Sequence, residues 1–244
     1  MKSEAIVEFG KPLQTIENDT PIPKGKEVLL KITYSGVCHS DVHLHDGYFD
    51  LGGGNQLPVG AAMNLPHTLG HEIEGKVVSF GSDVTDIEVG ANVVAYPWIG
   101  CGKCSTCETG DEHYCNAPQQ LGIQLPGGFS DYCLIPDSKY VLDYTGIRPG
   151  LAATYMCSGL TAFGALKKLV NINDDDHILI MGLGGVGMMG LQFARSLFNC
   201  KILAADIDPN KLQAARGAGA DEVYDTSDEL SIMKLIEDTS GGVK

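Results

Sequence analysis

Up to about residue 142 the chain runs in short apolar and β-branched stretches broken by Gly, Pro and Asp. Residues 27–34, entered from Pro21-Ile22-Pro23-Lys24-Gly25, read as a strand, and so do 74–80, 91–96, 129–135 and 140–142. Short strands with turn chemistry between them predict a compact β domain or partly open barrel. Residues 47–66 contain Gly52-Gly53-Gly54 and Pro58 and show no period of either kind. A connection that long predicts a functional lid or the edge of a pocket.

The texture changes near residue 150. Helical patterns at 151–156 and 161–168 flank Ser158-Gly159, and a buried-strand pattern follows at 177–181. A helix over 188–198, a strand over 201–205, a helix over 209–217, a short strand over 222–224 and a helix over 229–237 complete a β-α-β-α-β-α series. That alternation is the first half of a doubly wound nucleotide-binding domain. The pattern thus predicts two domains, 1–150 and 151–244. A full doubly wound domain carries a second half, and residues 241–244 read as the approach to its first strand; a fragment and an abbreviated product both stay open.

Charge narrows the partners. The 31 acidic against 17 basic residues give a net charge of -14, which disfavours nucleic acid and anionic membrane surfaces. No apolar run reaches the roughly 18 residues of a membrane span, and Met1-Lys2-Ser3-Glu4-Ala5 is no signal-peptide core. The expectation is a cytoplasmic chain, whose eight cysteines serve as thiols and metal ligands in preference to disulfides.

Four of those cysteines are Cys101, Cys104, Cys107 and Cys115, a C-x2-C-x2-C-x7-C run in a polar lobe at about 97–118. Four thiolates on small, flexible spacers wrap one tetrahedral zinc and leave no open position, so this site is structural. An iron-sulfur cluster competes, although its usual spacings differ. Cys133 and Cys200 lie in apolar surroundings and read as buried thiols. His45, His67, His113 and His177 read as surface or core histidines.

Gly182, Gly184 and Gly187 form a G-x-G-x-x-G run, with Gly185 and Val186 inside it, between a predicted strand and a predicted helix. In that context the glycines permit a tight turn, close approach of backbone to a pyrophosphate, and helix-strand packing, with the phosphate at the helix start. Asp206 ends the next strand, where a carboxylate accepts from both ribose hydroxyls and repels a 2'-phosphate; NAD is expected over NADP. Lys211, one turn into the following helix, is a candidate contact to the same ribose or a surface lysine.

Five signatures then occur in order: Gly36-Val37-Cys38-His39-Ser40-Asp41, Leu69-Gly70-His71-Glu72, the four-cysteine lobe, Cys157-Ser158-Gly159-Leu160-Thr161 and the glycine run. Together they resemble the zinc-dependent medium-chain alcohol dehydrogenases over nearly the whole chain. The resemblance implies a GroES-like, partly open β-barrel domain joined to a Rossmann-type doubly wound domain, the latter incomplete here. It implies a catalytic zinc on Cys38, His71 and Cys157. Two thiolates and one imidazole leave that ion a fourth position for water or substrate oxygen.

Further roles follow from the same resemblance. Glu72 is a carboxylate that can approach the metal, and Asp41 orients the histidine ligand through its far nitrogen, with a loop cap as its plainer use. Ser40 takes the alcohol proton and passes it through the ribose hydroxyl of the cofactor to His43, which exchanges it with solvent. His39 lies near the pyrophosphate, and Thr161 packs on the nicotinamide. Trp98, Tyr48 and Phe49 resemble pocket walls, although Trp98 also reads as a core indole with its N–H satisfied.

The implied reaction moves a hydride between a primary or secondary alcohol and NAD to give an aldehyde or ketone, in a homodimer or homotetramer. A polyol or aromatic alcohol substrate and an inactive zinc-binding fragment remain as alternatives. A zinc-free quinone reductase is disfavoured, because all seven expected ligands are present.

Overall fold

The short alternating runs of the first 150 residues fold as antiparallel sheet, and the βα alternation after them folds as parallel sheet. The computed structural model describes residues 1–60, 63–240 and 242–243. The expected approach to a further strand at 241–244 therefore falls partly outside the described residues. The chain divides into two compact units, Met1–Cys157 and Ser158–Lys244.

The first unit contains, in chain order, β1 (Lys2–Ile6), β2 (Gln14–Glu17), β3 (Val28–Gly36), α1 (His39–Asp46), β4 (Tyr48–Gly52), β5 (Asn55–Pro58), β6 (His67–Thr68), β7 (Glu72–Phe80), β8 (Asn92–Ala95), α2 (Ser105–Glu108), β9 (Tyr132–Ile135), β10 (Val141–Asp143) and α3 (Ala152–Thr154). Its main sheet has the order β10-β8-β7-β3-β9, all antiparallel, and a smaller one has the order β2-β1-β6. Neither closes into a true barrel. Val28, Leu30, Ile73, Val77, Val93 and Ile135 form the core on one face of the main sheet. A second cluster, Ile6, Leu44, Met63 and Leu69, packs α1 against the chain around β6.

Sheet order decides where chemistry is placed. The end of β3 pairs with the start of β7, with Gly36 opposite Glu72. Cys38 follows one strand and His71 precedes the other, so the register of this single pair brings two distant stretches together.

Several elements of this unit differ from expectation. Residues 47–66 are not without structure: β4 and β5 pair as a hairpin, turned by glycines at positive φ, Gly53 and Gly54. Strand β1 hides its alternation because its inward residues Ser3 and Ala5 are small. Helix α1 buries only Asp41 and Leu44, too few for a visible apolar stripe.

The second unit continues with α4 (Leu160–Leu166), β11 (His177–Met181), α5 (Gly185–Leu197), β12 (Lys201–Asp206), α6 (Pro209–Gly217), β13 (Glu222–Asp225) and α7 (Glu229–Asp238). Between α3 and α4 the chain makes a π-helical turn, Tyr155–Gly159. The sheet order is β11-β12-β13, parallel throughout. Ile178, Leu191, Ala194, Ile202, Ala204, Leu212 and Ala215 close the core between sheet and helices. Asp208 and Asp228 cap α6 and α7 by accepting from Asn210 and Leu230 N–H. Among the described residues no helix is long and apolar enough to cross a membrane.

Leu30 is fully buried at the centre of the β core. Leu30→Ala is expected to cost roughly 2–5 kcal/mol of stability, read as a lowered urea midpoint with an unchanged slope.

Candidate functional site

Cys38 stands at the N-terminus of α1, and Asp41 in the first turn of that helix accepts the Cys38 backbone N–H at 2.9 Å through Oδ2. The other oxygen of Asp41 accepts from Gly70 N–H at 3.3 Å and faces His71 Nδ1 at 3.2 Å. Asp41 is 3% exposed and His71 0%. With Nδ1 turned to a carboxylate, His71 directs Nε2 the other way, toward the Cys38 and Cys157 sulfurs, where among the described residues it is buried without a hydrogen bond. A buried ring nitrogen left so is costly unless something ligates it.

Cys157 supplies the third group. Its sulfur is 3.8 Å from that of Cys38, and the three ligand atoms lie within 4.8 Å of one another. Ligands at Zn–S distances of about 2.3 Å, set at tetrahedral angles, stand about 3.8 Å apart, so the trio fits zinc. Its proton affinities agree. The Cys157 thiol and then the His71 ring pull the Cys38 thiol down to about 3. Cys157 moves the opposite way, driven up first by Cys38 and then by burial. Burial is the largest influence on His71 and lowers it, yet Asp41 and Cys38 together raise it to about 10. A dication in place of those protons would relieve the competition.

Around the trio, Glu72 is 3% exposed at the start of β7, and its charge contributes to raising Cys157. A Cβ on Gly36 would lie 2.1 Å from Glu72 Oε2, so only glycine opposite leaves room for that carboxylate. Ser40, through its backbone and its side chain, contributes to stabilising the Cys38 thiolate. His43 is edge-on to His39, with ring centroids 4.8 Å apart, and 5.0 Å from the Phe49 ring. Trp98 stands 5.7 Å from the His71 ring and donates its indole N–H to the Met156 carbonyl at 3.0 Å.

The four-cysteine lobe is a separate centre. Sulfur separations are 3.5 Å for Cys104 and Cys107, 3.8 Å for Cys104 and Cys115 and 4.0 Å for Cys101 and Cys107. The N–H groups of Cys101 and Ala117 both donate to the Cys115 sulfur at 3.3 Å. Lys103 N–H and then Cys115 lower Cys101 to about 6, while burial and then Cys104 raise Cys107 to about 11. Backbone donors alone do not sustain four thiolates in this space; a dication does, and zinc matches the spacing. Glu112 fastens the lobe, accepting from Gly100 N–H at 3.2 Å, Lys139 Nζ at 2.5 Å and the Tyr140 hydroxyl.

In the second unit, β11 is followed by Gly182 at φ +81, and Gly184 caps α5. A Cβ on Gly187 would stand 1.8 Å from the Gly182 carbonyl, whereas Gly182 and Gly184 face open space. Gly187 thus lets helix and turn touch, and the exposed backbone of the other two lets a ligand approach. Gly185 is exposed, and so is Val186. A groove of about 470 Å³ runs along these glycines and is lined by Ala162, Leu166, Ile180 and Met181. Asp206 accepts Leu183 N–H at 2.6 Å and Asp208 N–H at 2.9 Å, which hold its carboxyl below the usual range; Lys211 Nζ is 3.9 Å from it. Each carboxylate oxygen keeps acceptor capacity for a further donor. Thr161 is exposed on α4.

Known proteins share this arrangement. Residues 24–146 match the alcohol dehydrogenase GroES-like domain, and 185–244 match the zinc-binding dehydrogenase domain. An NAD-dependent alcohol dehydrogenase of Saccharolobus solfataricus is 36% identical over 244 residues, which are 99% of this chain and 69% of that protein. One from Sulfurisphaera tokodaii is 36% identical over 242 residues with the same coverage. The solved structure of the alcohol dehydrogenase from Aeropyrum pernix superposes with a TM-score of 0.87 at 29% identity, over 100% of this chain and 70% of that one. The D-arabinose dehydrogenase from Sulfolobus solfataricus superposes at 0.82 and 27% identity, over 98% and 71%.

This chain belongs to the zinc-binding medium-chain alcohol dehydrogenase family. It is thus an NAD-linked oxidoreductase with a GroES-like β domain and a Rossmann-type parallel sheet. Two groups in this dehydrogenase, among the described residues, offer metal ligands: the four-cysteine lobe and the Cys38, His71, Cys157 trio. Sequence reasoning did not reach Gly36 or Glu112. The first shows only through the β3-β7 register, and the second through a contact with Tyr140 distant in the chain.

Cys104→Ser and Cys157→Ser separate the two centres. Each is expected to lower zinc from two ions per chain to one by elemental analysis, with the Cys104 variant alone weakening the lobe against proteolysis.

Proposed function

We propose that this dehydrogenase interconverts a primary or secondary alcohol and its aldehyde or ketone, with NAD taking and returning the hydride. The observation that carries this reading is the convergence of two thiols and one buried imidazole nitrogen within 4.8 Å, the imidazole held from behind by Asp41. Cys38, His71 and Cys157 would hold zinc there. When bound, zinc would supply a Lewis acid there, which would lower the pKa of an alcohol oxygen. Cys101, Cys104, Cys107 and Cys115 would hold a second, structural ion, which would tie the lobe and take no part in the reaction.

The chain's own groups do the remaining work. Asp41 holds the proton on His71 Nδ1 and thereby keeps Nε2 free to ligate. Glu72 places a buried negative charge beside Cys157, in reach of the ligand set when ligands exchange. Ser40 accepts the proton of the alcohol hydroxyl as it hands its own hydroxyl proton on through the ribose hydroxyl of the cofactor. His43, on the neighbouring turn of the same helix, passes it to solvent. Trp98 walls the substrate side of His71, its ring fixed by the bond to Met156, and Phe49 packs on His43.

For the cofactor, the N–H groups at the start of α5 meet the pyrophosphate, and Asp206 reads the adenosine ribose, with Lys211 next to it. His39 and Thr161 contact the pyrophosphate and the nicotinamide. The working enzyme is a homodimer or homotetramer, as the resemblance implies.

Relatives of the same fold include an enzyme of D-arabinose, so sugars and polyols belong in the substrate panel beside simple, branched, cyclic and aromatic alcohols. NAD reduction with at least one alcohol of that panel is expected, abolished by chelation and restored by zinc; failure of every alcohol refutes the reading. Ser40→Ala is expected to lower kcat by about 10²- to 10⁴-fold, as breaking the path of an acid-base proton transfer does, with zinc content unchanged. Asp206→Ala is expected to move the NAD to NADP ratio of kcat/KM by about tenfold toward NADP, since one charge-assisted hydrogen bond is worth about 1.4 kcal/mol or more.

A further inference from the structure

The reaction leaves one buried charge unused. Glu74 lies on β7, the strand that begins directly after His71, and is 1% exposed. Its Oε1 accepts the Tyr144 hydroxyl at 2.8 Å, and its Oε2 accepts Gly150 N–H at 2.8 Å. Among the described residues no cation pairs with it. Burying a carboxylate without a cation is unfavourable unless its oxygens are bonded. Here both oxygens are spent on one stretch of chain, 144–150.

That stretch leads into α3 and on to Cys157. Gly150 sits at φ +80 against the Tyr34 ring, with an added Cβ at 3.5 Å. Ala152 and Ala153 are buried where α3 packs on β3, β7 and β8. Past α3 the Trp98 indole holds the Met156 carbonyl. The arm that carries the third ligand is therefore pinned at both ends, at Gly150 by Glu74 and at Met156 by Trp98.

We propose that Glu74 is a positioning residue of the Cys38, His71, Cys157 centre: through Tyr144 and Gly150 it sets the arm on which Cys157 reaches the other two ligands. The strand that presents His71 thus also places the sulfur opposite. The proposal rests on reading the trio as a metal site. Glutamine can replace the carboxylate, with its carbonyl on Gly150 N–H and its amide on the Tyr144 oxygen; alanine cannot.

The test uses cobalt(II) in the full chain of the wild type, Glu74→Ala, Glu74→Gln and Tyr144→Phe. Thiolate charge-transfer and d–d bands distinguish a two-sulfur, one-nitrogen site from a four-sulfur site, and a chelator reads the release rate of each. In Glu74→Ala, release from the mixed site is expected to quicken by about 10- to 100-fold, the usual effect of losing a group that supports a ligand. The four-sulfur site keeps its rate, Tyr144→Phe falls between, and Glu74→Gln stays close to the wild type. Wild-type release from the mixed site in Glu74→Ala overturns the proposal. If that variant loses its four-sulfur spectrum as well, it has not folded, and Tyr144→Phe decides: unchanged release there overturns the proposal. A wild-type chain that takes cobalt only at the four-sulfur site overturns the metal reading itself, and the proposal with it.

Discussion

The Asp41 carboxylate receives three donors: the backbone N–H of Cys38, the backbone N–H of Gly70 and the ring nitrogen of His71. Charge-assisted bonds of this kind contribute about 1.5–3 kcal/mol each, and in a buried place every donor left without its acceptor costs a comparable amount. Because all three converge on one group, the start of α1 and the turn before β7 cannot shift independently. Two of the three ligands in the trio are in this way locked to each other before any metal arrives.

Paired strands supply the frame for that lock. Gly36 of β3 stands opposite Glu72 of β7, and the absence of a side chain at Gly36 makes space for the carboxylate. Cys157 comes from further along the chain, on an arm held by a buried carboxylate and an indole. The two metal centres differ as their surroundings dictate. The trio is built from side chains of the β core's edge, with a nitrogen in the set; the lobe is a polar loop of four sulfurs, attached to the unit through Glu112. The first set offers the three ligands of a catalytic zinc site and the second the four of a structural one.

In the parallel-sheet unit the same economy appears in backbone. Gly187 allows α5 to rest on the Gly182 carbonyl, while Leu183 N–H ties the glycine turn to Asp206 at the end of the neighbouring strand. The glycine turn and the carboxylate proposed to meet phosphate and ribose are thereby held in one piece, which suits recognition of a dinucleotide.

Sites whose parts lie close in the chain were legible from residue order. The four-cysteine lobe needs only short spacers, and the glycine run needs only a strand before it and a helix after it; near neighbours determine both geometries. The βα alternation was legible too, since buried parallel strands read as unbroken apolar runs such as 177–181. Helix α1 was not, because a helix with two buried residues has no stripe and is held by Asp41 instead. Nor does any local pattern join Cys38, His71 and Cys157; family resemblance suggested that grouping, and the β3-β7 register with the arm at Gly150 produces it. What the sequence determined by itself is each piece whose forces act within a few residues. Only the tertiary structure decided which buried charges, Glu72 and Glu74 among them, face which distant partners, because hydrogen bonds and close contacts across a sheet depend on register and not on order along the chain.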